Sequence, residues 1–193
     1  GRKNLENLKK IGVDCIEFSP DPNVYLKLAK FGLTELGDFQ WPEHIGIFTV
    51  PVQIAVRYKI PLIIWGENSA LEYGQGHFSD FNTNSVLDKE YLEKNGGYFL
   101  DKITPQDMTK YGFDIKDLKP YLYPSDEEIN QIGVTGIFLG SYIKWDIFKQ
   151  LEVVKGLGFS ENDEQKEGTY DSWENLDVYF TVFHDYLKFL KYG

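Results

Sequence analysis

Pro61-Leu62-Ile63-Ile64-Trp65-Gly66-Glu67-Asn68 is the stretch on which the fold reading turns. Between Pro61 and Gly66 every residue is large and apolar. A strand with one wet face alternates polar and apolar residues, and this one does not. An unbroken apolar run of this length reads as a strand covered on both faces, as in a parallel sheet flanked by helices. Pro61 suits the first residue of a strand because it cannot donate to a ladder. Gly66 ends the run and opens a segment rich in Gly, Ser, Asn and Asp that continues to about Ser85.

Working outward, Val13–Phe18 is predicted as a second strand, closed by Ser19-Pro20, and Gly136–Leu139 as a third. Cys15 falls inside the first of these and is expected to be buried. Helices are predicted between the strands. Leu5, Leu8 and Ile11 repeat at helical spacing and Gly12 follows as a terminator. Asp21-Pro22 offers a side-chain cap and a first-turn proline for a helix carrying Val24, Leu28, Phe31 and Leu36, stopped by Gly37. Trp41-Pro42 opens another, which Pro51 is expected to kink or to restart after Thr49.

Farther along, Val86–Lys94 is predicted as a short helix, and Thr104-Pro105 as a cap leading through Met108. Pro120–Pro124 reads as a rigid extended connection. Ser125 and Glu128 form a capping box. Helices are also predicted from about Lys144 to Leu157 and from Trp173 to Leu190. Helices alternating with short apolar strands predict an α/β fold: a parallel sheet flanked by helices. The whole of 1–193 is expected to be a single α/β domain, with 160–193 as its helical C-terminal segment.

Open parallel sheets bind ligands beyond the carboxyl ends of their strands. Three places qualify: Ser19 to Asp21, Gly66 to Tyr73, and Gly140 to Trp145. The second carries the most chemistry. Glu67 and Glu72 are candidates to hold Mg²⁺ or a cationic group, with Glu67 the single metal candidate retained. Asn68 suits a sugar amide or hydroxyl, and Tyr73 a wall of the site. Glu67, Asn68, Glu72 and Tyr73 are thus the expected substrate-binding residues, and Gly66 and Ser19 the expected cofactor-binding ones. No residue is assigned as catalytic. An Asn/Gly turn bearing exposed acids is the alternative reading. The three histidines have no metal-ligand spacing. His44 reads as a locally satisfied side chain, His77 as an exposed loop residue. His184-Asp185 does not read as a dyad, because adjacent helical residues point apart.

Composition narrows the function classes. A net charge of −10 repels phosphate backbones and anionic lipid surfaces, which argues against nucleic-acid and membrane partners. A single cysteine excludes an internal disulfide and a thiolate metal cage. Aromatic residues reach 16%; for any single ring the core reading leads, and part of the surplus is expected to line a sugar site, since aromatic faces pack on the C–H faces of sugar rings. No stretch approaches the roughly 18 apolar residues of a membrane span, and Gly1-Arg2-Lys3-Asn4 lacks a signal-peptide apolar core. A cytoplasmic location is therefore expected.

Several strings together resemble the N-acetyl sugar amidotransferase family. They are Pro61–Asn68 followed by Glu72-Tyr73-Gly74, and Gly136-Ile137-Phe138-Leu139-Gly140 followed by Trp145-Asp146. Glu167-Gly168-Thr169-Tyr170 follows, then Glu174-Asn175 and His184-Asp185-Tyr186-Leu187-Lys188. The likeness runs in one order from about Arg2 to the last residue.

The resemblance implies a PP-loop ATP pyrophosphatase fold (adenine nucleotide alpha hydrolase-like) with sheet order 3-2-1-4-5, in which Val13–Phe18 is the third strand and Pro61–Trp65 the fourth. It implies conversion of an acetamido group on a nucleotide-linked N-acetyl sugar to an acetamidino group, in lipopolysaccharide or other surface-glycan biosynthesis. ATP and Mg²⁺ are the implied cofactors, and a glutaminase subunit the implied ammonia source.

The family's pyrophosphate loop lies upstream of the matching region. The chain is therefore expected to be the C-terminal portion of a longer enzyme, incomplete at the N-terminal side of the sheet and inactive alone. The family's cysteines around the Trp-Pro pair are replaced here by Gln40 and Glu43. Two alternatives stay open: a non-catalytic sugar-binding or partner-docking module, and a PP-loop enzyme acting on another acceptor such as tRNA.

Overall fold

The structure is a computed structural model that describes residues 2–66, 86–87, 105–144, 146–163, 171–173, 176 and 180–192. It is an α/β protein with a small sheet that contains a parallel strand pair. The chain forms two compact units, one chiefly of Pro20–Lys144, the other of Gly1–Ser19 with Trp145–Lys191. All the fully buried residues among those described belong to the first.

In the larger unit, helix α2 (Pro22–Phe31) starts where the sequence says it should. Asp21 Oδ1 accepts the N–H groups of Asn23 and Val24, at 2.8 and 3.1 Å. One widened helical turn, Gly32–Leu36, follows and stops at Gly37, whose φ of 68° is left-handed and suits glycine. Helix α3 (Trp41–Tyr58) runs through Pro51 without a restart. Its buried positions 41, 45, 48, 52 and 55 keep one face apolar across the proline, so tertiary packing outweighs the missing N–H. Thr49 Oγ1 also donates to the Pro120 carbonyl at 2.8 Å, and Gln53 Nε2 donates to the Leu122 carbonyl at 2.6 Å. These bonds anchor the Pro120 region, where Lys119–Tyr121 is a tight helical turn and the chain extends only from Leu122.

Helix α3 joins two cores. Its first half packs Trp41 and Ile45 with Leu28, Met108, Leu118 and Tyr121. Its second half packs Phe48 and Val52 on Trp65 and Phe138 of the sheet. Strand β1 (Leu62–Trp65) pairs with β3 (Thr135–Phe138) in parallel, Leu62 opposite Thr135 and Trp65 opposite Phe138. Strand β2 (Val86–Leu87) adds to β3 antiparallel, giving the order β1-β3-β2. Ile115–Leu118 forms a single helical turn, α4, and α5 (Asp126–Ile132) precedes β3. The capping box of α5 is present: Ser125 Oγ accepts the Glu128 N–H, and Glu128 accepts the Ser125 N–H at 2.9 Å.

The sequence expectations are corrected in several places. Val13–Phe18 has no regular secondary structure and is not a strand: Val13, Ile16 and Phe18 are about half exposed, and Cys15 is half-buried. A strand exists only through its partner, and among the described residues none pairs with this segment. The expected third strand is therefore not formed by these residues. Among the described residues, strand β1 is covered on one face. Ile63 and Trp65 face the α3 side, whereas Leu62 is 49% and Ile64 58% exposed. Its uniform apolarity predicted helices on both faces, and only one packs there among the described residues. Of the helix expected over Val86–Lys94, Val86-Leu87 is strand, held by pairing with β3, and 88–94 lie outside the described residues. The last helix begins at Thr181, and residues 173, 176 and 180 are not helical.

Among the described residues of the smaller unit none is fully buried, and the links between them are chiefly polar. It contains α1 (Arg2–Lys10), α6 (Ile147–Gly156) and α7 (Thr181–Tyr192). Asn4 Nδ2 donates to the Ser160 carbonyl at 3.0 Å, and Asn4 Oδ1 accepts the Ser160 N–H at 2.8 Å. Asn7 donates to the Gly158 carbonyl. Glu161 meets the Lys155 ammonium and accepts from the Ser172 hydroxyl at 2.5 Å.

Lys155 first, and Ser172 next, hold the Glu161 carboxyl below its ordinary value. A folded-state pKa below the unfolded one stabilises above the unfolded value and is lost as pH falls through the folded one. Between about pH 5 and pH 3 the melting temperature is accordingly expected to fall less steeply in Glu161→Gln than in the parent. Identical slopes in paired melts of the two proteins would refute that role.

Candidate functional site

The parallel pairing of β1 and β3 sends both chains out at the same edge. Trp65 opposite Phe138 is the last pair. Beyond it lie Gly66 on one side and the tight turn Leu139–Ser141 on the other. Gly66, Gly140 and Ser141 are exposed, and a Cβ at either glycine would meet no heavy atom within 4 Å. Tyr142 and Ile143 follow, 64% and 58% exposed. This rim presents glycine backbone, the hydroxyls of Ser141 and Tyr142, and one aromatic face. Such a set can hydrogen-bond and stack on a neutral polar ring. Among the described residues from 139 to 144 and at 66 there is no carboxylate.

Of the six residues expected at the site, Gly66 lies on this rim. Ser19 is exposed in an irregular segment of the smaller unit. Glu67, Asn68, Glu72 and Tyr73 lie outside the described residues, as do His77, Trp145 and 167–170. Two other polar residues of the candidate strings have local duties. Asp21 caps α2, and Asp146 caps α6 by accepting the Lys149 N–H at 3.2 Å. His184 is 3.1 Å from Asp185 through Nδ1 and a carboxylate oxygen, so these neighbours do meet, contrary to the helical-spacing expectation. Both side chains are short enough to fold along the helix surface toward each other. With Asp185 more than half exposed, the pair contributes little to stability.

Sequence reasoning missed one arrangement. His44 Nδ1 sits 2.8 Å from Asp38 Oδ2, and both side chains are largely buried, at 15% and 10% exposure. The other Asp38 oxygen accepts the Gln40 N–H at 2.9 Å.

Next to this pair in sequence, Glu43 takes part in a hydrogen bond with Tyr25. Burial first, and the Glu43 charge next, push the Tyr25 hydroxyl far above its ordinary range, so it stays protonated. The indole N–H of Trp41 and the hydroxyl of Tyr121 are buried without a hydrogen-bond partner. The available signal was an Asp in the turn ahead of a Trp-Pro helix start. Asp38 lies in the turn and His44 in α3, so no period of a single helix or strand relates the two.

No protein-family model matches the chain, and no curated protein is detectably similar to it. Among the described residues no helix is long and apolar enough to cross a membrane.

Proposed function

We propose that this chain carries the sugar-side half of the active site of an N-acetyl sugar amidotransferase of the PP-loop ATP pyrophosphatase type. The observation that supports this is the parallel register of β1 and β3. Two strings that resemble the family, 61–68 and 136–140, are separated by more than sixty residues yet leave the sheet at one edge. In the PP-loop arrangement β1 and β3 would be the fourth and fifth strands, and ligands would sit at that edge.

The chemistry needs both a held sugar and an activated amide. An amide carbonyl is a poor electrophile, so ATP adenylylates its oxygen with loss of pyrophosphate. Ammonia from a glutaminase partner then attacks the carbon and AMP leaves. The rim around Gly66 and Gly140 suits the holding of the sugar, because bare peptide groups and the Tyr142 ring match a neutral acetamido sugar. Without a carboxylate, the described rim does not fit Mg²⁺, and the metal role in this proposal rests on Glu67. A cytoplasmic location belongs to the same reading, since ATP and nucleotide sugars are made there.

Isothermal titration of the purified chain tests the proposal. A nucleotide-linked N-acetyl sugar such as UDP-N-acetylglucosamine is expected to bind saturably, while ATP with Mg²⁺ gives no heat. Absence of sugar binding together with tight tRNA binding at physiological salt would replace this reading with the tRNA-acting one.

A further inference from the structure

We draw no further inference here: the strongest candidate, the uncovered apolar face of the β1–β3 sheet at Leu62 and Ile64, carries nothing because nothing in the structure shows what covers it.

Discussion

Gly32→Ala is expected to destabilise the protein by about 3 kcal/mol, the upper end of what one added methyl costs in a packed interior. The added Cβ would lie 2.2 Å from the Asp38 carbonyl oxygen and 3.1 Å from the Trp41 Cβ. The first contact is to backbone, so no side-chain rotation relieves it. Gly32 has an ordinary helical φ of −56°, which leaves lack of space, not backbone conformation, as the reason for glycine.

The consequence extends along the turn. The Asp38 N–H donates to the Gly32 carbonyl at 2.9 Å, and the Asp38 carbonyl accepts the Trp41 N–H at 3.4 Å. Pushing residue 38 away disturbs the start of α3 and the Asp38–His44 pair together. Gly66→Ala serves as the control, since its Cβ meets nothing, and should change stability by less than about 0.5 kcal/mol. Urea unfolding midpoints of the two variants decide the matter. Equal midpoints would mean that the 32–41 turn is not packed as described.

Trp41→Ala is expected to cost about 3–5 kcal/mol, because a fully buried indole leaves a cavity that a helix start cannot collapse into. Trp41 has no exposure, and its ring centroid lies 6.3 Å from that of Tyr121 at a tilt of 32°. Its N–H has no acceptor, so the loss is one of packing and not of a hydrogen bond. Trp41→Phe separates these contributions. It keeps part of the ring contact and removes an unsatisfied donor, which offsets some of the lost area. The phenylalanine variant should therefore recover more than half of the alanine loss in the same unfolding assay. Equal losses in the two variants would show that the indole N–H is engaged after all.

What could be read from the sequence was local. Asp21 before Pro22, and Ser125 three residues before Glu128, satisfy end amides within one turn, and both caps are present. The apolar runs read at Pro61–Trp65 and Gly136–Leu139 form strands at Leu62–Trp65 and Thr135–Phe138, and the two pair in parallel as expected. What could not be read depends on distant partners. Val13–Phe18 has strand composition but finds no ladder among the described residues. The exposed face of β1 is as apolar as its covered one, so hydropathy cannot tell them apart. Of the kink or restart expected at Pro51, the restart does not occur, because two cores on the same helical face hold α3 as one helix. Of the candidate site, what the sequence made legible is that Gly66 and Gly140 follow the ends of two strands, which pair in parallel. The Asp38–His44 contact was hidden because a turn, not a helical or strand repeat, brings the two side chains together.

The amide spectrum of the ¹⁵N-labelled chain, titrated with a nucleotide-linked N-acetyl sugar, tests most directly whether that shared rim holds the substrate. The Gly66 and Gly140 signals are expected to move together with one saturation curve, while those of Gly12 and Gly46 stay fixed. Saturable binding that leaves Gly66 and Gly140 unmoved would contradict the account.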